Sequence, residues 1–146
     1  MKRLLLVRHA KSNWENPDWT DFERPLNKRG LRDAPFMADI VKQKLDAMDY
    51  VYASPAMRAI TTAKAFCNAL NYPEDKIHID QSIYEKGPRY IISLVKSADD
   101  KIDTLAVFGH NPDMTSLFSY FTGDYCDNMP TCGCLCIDFD IDSWQQ

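Results

Sequence analysis

Leu4-Leu5-Leu6-Val7, followed at once by Arg8-His9-Ala10, joins an apolar run directly to a cation and an imidazole. Four consecutive large aliphatics predict a strand buried on both faces, the kind that parallel sheets require. Such a strand delivers Arg8 and His9 to the sheet edge where open α/β folds place their ligands. A guanidinium fork suits a phosphate, and a neutral imidazole can attack one.

The rest of the pattern agrees with a parallel sheet. Strands are expected at Arg3–Arg8, Asp49–Ala53, Lys76–Ile79, Thr104–Phe108 and Gly133–Ile141. The last alternates strictly in Cys136-Ile137-Asp138-Phe139-Asp140-Ile141, as a half-exposed edge strand does. Helical patterns fall between the strands. One covers Asn27 to Leu45, with Gly30 and Pro35 expected to bend or delay it. A second starts at Ser54-Pro55, a cap residue and a first-turn proline, and buries Ile60, Ala63, Cys67 and Leu70. A third follows Pro88, and a fourth begins at Asn111-Pro112-Asp113. The fold class expected is α/β: three layers, α/β/α, around a mainly parallel central sheet. Lys11–Leu26 reads as a long polar loop holding Trp14, Trp19 and Phe22, and loops of that length tend to be functional.

Composition narrows the function. A chain of 146 residues, 45% hydrophobic and 26% charged, is expected to form one domain burying roughly 70% of its unfolded surface. Its net charge of −4 disfavours nucleic acid or an anionic membrane as partner. A phosphate site must then be a local cluster of cations on an acidic body. No apolar run approaches the roughly 20 residues that span a bilayer, and the run after Met1-Lys2-Arg3 is too short for a signal peptide. The expected location is the cytoplasm. The five cysteines, an odd number, agree; Cys132, Cys134 and Cys136 alternate and are expected to be small buried core thiols on one strand face, not metal ligands. His78 falls elsewhere in the pattern and reads as structural. No heptad or apolar stripe specifies an oligomer.

Parallel strands share their C-terminal side, so three strand ends converge: Arg8-His9, Ser54-Pro55-Ala56-Met57-Arg58 and Gly109-His110-Asn111. Arg58 falls in the first turn of its helix, where free N–H groups and the dipole also favour an anion. Two arginines, two of only three histidines and helix N-termini thus meet in one place.

These residues carry a resemblance. Leu-Val-Arg8-His9-Ala10-Lys11-Ser12, Arg24-Pro25-Leu26 with Arg29-Gly30, Ser54-Pro55 with Arg58 and Thr61-Thr62-Ala63, and Gly109-His110-Asn111-Pro112 are similar to the histidine phosphatase superfamily of phosphoglycerate mutase-like folds. Within it the chain most resembles the short SixA-like phosphohistidine phosphatase branch, and the likeness spans nearly all of residues 1–146 in order.

The resemblance implies a phosphatase acting without metal or cofactor on a phosphorylated substrate, a phosphoprotein or a small phosphate ester. His9 would be the nucleophile and carry the phosphoryl group, Arg8 and Arg58 would clamp its oxygens, and His110 would add a hydrogen bond or charge. Glu85, in Ile83-Tyr84-Glu85-Lys86-Gly87, is the expected proton donor, with Asp21 and Glu23 as weaker alternatives. Ala10 stands where glycine is commoner in the superfamily. Trp14 is followed by Glu15 rather than the asparagine of mutase-type members, which argues against sugar-phosphate or glycolytic-acid recognition. The alternatives are a small-molecule phosphomonoesterase acting on a sugar or nucleotide-derived phosphate, and a non-catalytic phospho-ligand module. Intact His9 argues against the module.

Overall fold

The four aliphatics after Arg3 do form a strand, β1 (Lys2–Arg8), and it lies inside the sheet. The computed structural model describes residues 1–146. Around β1 stand β2 (Tyr50–Ala53), β3 (His78–Ile79), β4 (Thr104–Gly109) and β5 (Cys134–Phe139), in the spatial order β3-β2-β4-β1-β5. Every pairing is parallel except that of β5, which runs antiparallel along β1 at the edge. This is the expected mostly parallel α/β sheet.

Burial on both faces follows from the period-2 alternation of a strand. Leu5 and Val7 join Ala106 and Phe108 in a core beneath α1 (Lys28–Lys42) and α2 (Met57–Ala69). Leu4 and Leu6 join Leu105 and Val107 on the other face, against α4 (Pro88–Lys96) and α5 (Asp113–Thr122). All eight residues are wholly inaccessible to solvent. No helix is long and apolar enough to cross a membrane.

Several local expectations are corrected. Neither Gly30 nor Pro35 delays or interrupts α1, which starts one residue after its Asn27 cap. Asn27 Oδ1 accepts the Gly30 N–H at 2.8 Å, and the carbonyl that loses a partner to Pro35 belongs to exposed Leu31. Ser54 does not cap α2, whose capping position is Ala56 with no side-chain bond. The buried face of α2 includes Phe66 and leaves Ile60 only half-buried. The third strand is only two residues long, because Glu74–Lys76 form a 3₁₀ turn. The fourth predicted helix begins at Asp113, after a cis Asn111–Pro112 bond, and Asn111 Oδ1 accepts the Thr115 N–H. A short helix absent from the sequence reading, α3 (Gln81–Glu85), is capped by Asp80.

The cysteine row is also corrected. Cys132 precedes β5, in a left-handed backbone conformation, and is buried. Cys134 is half-buried and Cys136 is exposed, because β5 is an edge strand with one face open. No three His, Cys, Asp or Glu side chains gather in a way that would hold a metal ion.

Candidate active site

His9 sits just past the last residue of β1, where backbone on both sides fixes it. Its N–H donates to Gly109 O (3.0 Å) and its carbonyl accepts from Cys132 N–H (3.0 Å). The next N–H, of Ala10, donates to Thr62 Oγ1 (3.0 Å), whose hydroxyl donates to Arg58 O (2.8 Å). The His9 ring is 7% exposed, and its Nδ1 lies 2.7 Å from Ala10 O. A carbonyl can only accept, so Nδ1 carries the proton and Nε2 keeps its lone pair. Burial depresses the His9 pKa to about 4; the Ala10 bond opposes this, and the charges of Arg58 and Arg8 add to it. The imidazole is therefore neutral at ordinary pH.

Three arginines surround it. Arg8 Nη1 donates to Met129 O (2.7 Å). Arg58, on the first turn of α2, donates from Nη1 to the Asp21 carbonyl (2.6 Å) and from Nη2 to Asp21 Oδ2 (3.0 Å). Arg24 donates to Ser12 Oγ (2.6 Å) and to Asp21 Oδ1 (3.0 Å). Burial works against charge on Asp21, but hydrogen bonds from Tyr84 OH, Arg24 and Arg58 hold its carboxyl well below the usual range. Arg8 Nε and Arg58 Nε are buried with no hydrogen-bond partner in the protein.

His110 completes the cluster from the end of β4, its ring 5.2 Å from that of His9. Its Nε2 lies 2.7 Å from Ser54 Oγ, and its Nδ1 is the third buried polar atom without a partner. Burial, then the neighbouring His9 and Arg58, depress the His110 pKa to about 3. Arg8, His9, Asp21, Arg24, Arg58 and His110 line one cleft of about 470 Å³. Arg8, Lys11, Arg24 and Arg58 bring four cations to it, against two carboxyls, Asp21 and Asp113. The cation cluster on an acidic body is present.

The structure thus brings Arg8, His9, Arg58 and His110 together. It does not bring Glu85: that side chain is exposed, outside the cleft, and accepts from Gln81 Nε2 at 3.0 Å. Its neighbour Tyr84 faces inward instead, its ring 5.3 Å from that of His110. Glu23 is likewise outside, bonded to the Thr20 N–H. Asp21 is inside, but held by two arginines. His78 lies on β3, bonded to Tyr50 OH. Sequence reasoning assigned no role to Tyr84, Arg24 or Asp113. Arg24 had a signal, its place in the Arg24-Pro25-Leu26 stretch that carries the resemblance, and Asp113 had another, the first-turn acid near His110. Tyr84 had none, since α3 was not foreseen.

The chain is similar to several known proteins. The model of the histidine phosphatase superfamily (branch 1) matches residues 4–87, more than half of the chain. An uncharacterized chloroplastic protein of Arabidopsis thaliana is 27% identical over 99% of this chain and 70% of its own length. An uncharacterized protein of Mycobacterium tuberculosis is 32% identical over 76% of this chain and 66% of its own, so the chain spans about two thirds of these relatives. The solved structure of SixA from Agrobacterium tumefaciens superposes with a TM-score of 0.82 at 28% identity, covering 94% of this chain and 91% of that one.

Proposed function

We propose that this chain, which belongs to the histidine phosphatase superfamily, is a metal-independent phosphatase that works through a phosphohistidine on His9, with a phosphohistidine protein as substrate. The observation that carries the reading is the single cleft that Arg8, Arg58 and His110 line together with His9, with Arg8 Nε, Arg58 Nε and His110 Nδ1 buried behind it and without a partner in the protein. Leaving such groups unpaired costs roughly 1–3 kcal/mol each, more when charged, unless a ligand satisfies them. A tetrahedral oxyanion does so.

In this reading His9 Nε2 attacks phosphorus while the bond to the leaving group breaks. Arg8, Arg58 and His110 Nδ1–H stabilise the equatorial oxygens. In this tautomer Ser54 donates its hydroxyl proton to His110 Nε2 while its oxygen accepts the Ala56 N–H, and Nδ1 is the donor. The leaving group takes a proton from Asp113, the one carboxyl of the cleft outside the arginine pair, whose pKa is raised by burial. Water then attacks the phosphohistidine, giving its proton to Asp113 and releasing phosphate. Donors that are guanidinium and N–H groups suit an anion and not a divalent cation. We place the reaction in a reducing, cytoplasmic setting, because none of the five cysteines is paired.

The substrate assignment draws on the likeness to SixA and on a cleft wide enough for a side chain of another protein. The test is turnover of the purified chain, with and without EDTA, on phosphohistidine proteins, sugar phosphates and an aryl phosphate. Phosphohistidine protein should give the highest kcat/KM, unchanged by EDTA, with acid-labile radiolabel trapped on wild type and absent from His9→Ala. Preference for a sugar phosphate would overturn the substrate, and label persisting on His9→Ala would overturn the nucleophile.

A further inference from the structure

The loop Lys11–Leu26 carries a second cavity, of about 240 Å³, lined by Trp14, Asn16, Pro17, Trp19, Asp21 and Arg24. Trp14, Asp21 and Arg24 also line the catalytic cleft. The two spaces therefore adjoin across the Arg24–Asp21 ion pair.

Its walls are built in advance. Trp14 is 70% exposed, yet one face of its indole lies over the Arg24 guanidinium, 3.4 Å from ring centroid to carbon. Arg24 is itself 7% exposed and tied to Ser12 and Asp21. The loop ends are clasped by the Ser12–Leu26 bridge and by Asn13 N–H to Pro25 O at 2.8 Å. Inside it, the Trp19 N–H reaches Asn16 O and the Asp18 N–H reaches Asn16 Oδ1. A single exposed aromatic needs no explanation. An exposed indole fixed at the mouth of a catalytic cleft, beside a second tryptophan and a second cavity, does.

We propose that this cavity is the leaving-group subsite, taking a planar aromatic or heteroaromatic ring, neutral or cationic, that is bonded to the phosphoryl group in the main cleft. The inference rests on the phosphoryl-transfer reading of that cleft. Flat indole walls match a flat ring in offset-stacked or edge-to-face geometry. The only charged groups that line the cavity, Asp21 and Arg24, are paired with each other, so its walls present no net charge. A flat ring such as an imidazole or a phenyl meets such walls without leaving a charge unpaired. Preformed walls also reduce the ordering cost of binding.

The test uses non-hydrolysable phosphonates on the intact protein, with calorimetry and indole fluorescence. Phenylphosphonate should bind about tenfold more tightly than ethylphosphonate, the upper range for one aromatic pair. Phenylphosphonate should quench indole emission and ethylphosphonate should not. Trp19→Ala should bring the phenyl-to-ethyl ratio to about one, whereas Trp14→Phe, which keeps a flat face over Arg24, should retain most of it. Equal affinities in wild type, or a ratio untouched by Trp19→Ala, would overturn the subsite while bound inorganic phosphate still upheld the main cleft. Binding of neither phosphate nor any phosphonate would overturn the cleft and the subsite together.

Discussion

Ser54 Oγ lies 2.7 Å from His110 Nε2, joining the residue after β2 to the residue after β4. The serine that reads as a helix cap is bonded instead to an imidazole that lines the cleft. Ser54 is wholly buried, so the bond is shielded from water, and it sets which ring nitrogen faces the cleft. Ser54→Ala should therefore lower kcat by roughly ten- to a hundredfold, on the scale of losing part of one transition-state donor. It should cost only about 1–3 kcal/mol of stability. Steady-state rates and urea unfolding check both; unchanged kcat would show that His110 keeps its orientation without the serine.

Arg8→Lys and Arg58→Lys should each lose roughly a hundredfold or more in kcat/KM. Lysine cannot reproduce the planar fork, nor the paired contacts of Arg58 with the Asp21 carbonyl and carboxylate. Rates near wild type in either variant would place that residue outside phosphoryl binding.

Asp113→Asn should slow substrates with poor leaving groups by roughly a hundredfold while sparing nitrophenyl phosphate, the signature of lost proton donation. Glu85→Gln should be near neutral on both, because that side chain is exposed and bonded to Gln81. Equal losses on both substrates in Asp113→Asn would mean that it binds rather than protonates.

Both site histidines have pKa values depressed by burial, His9 to about 4 and His110 to about 3. NMR titration should show both rings neutral down to pH 5. The unfolded chain binds protons on these groups from about pH 6.5 downward and the folded chain does not. Stability is thus fully present above pH 6.5, falls as acid approaches pH 4, and loses a few kcal/mol in all. A ring titrating near pH 6.5 in the folded protein would contradict the buried placement.

Gly30→Ala should disrupt the start of the Lys11–Leu26 loop. A Cβ there would lie 2.2 Å from the Lys11 carbonyl oxygen, a backbone atom that also accepts the Asn27 N–H. Overpacking of this kind costs roughly 1–3 kcal/mol, and KM should rise with it. A shift in melting temperature under 2 °C would show that α1 and the loop can part, since about 1 kcal/mol moves Tm by roughly 2–8 °C in domains of this size range.

Leu4 to Val7, by themselves, determined a two-sided buried strand, since four consecutive aliphatics can be satisfied no other way in a sheet. With the other parallel strands that placed Arg8, His9, Arg58 and His110 at one edge. These are consequences of local pattern and of the direction that parallel strands share. Tertiary structure alone decided which neighbours point inward. Tyr84 and Glu85 are adjacent on α3, and adjacent helical residues lie about 100° apart, so one enters the cleft and the other meets solvent. Ser54 does not cap α2 because the end of β4 brings His110 Nε2 within 2.7 Å of its hydroxyl. Asp21 became an arginine ligand because the loop folded back over α2 through the Phe22 O to Met57 N–H bond. None of these choices is encoded in spacing; each depends on which polar group, from a distant part of the chain, arrives within about 3 Å.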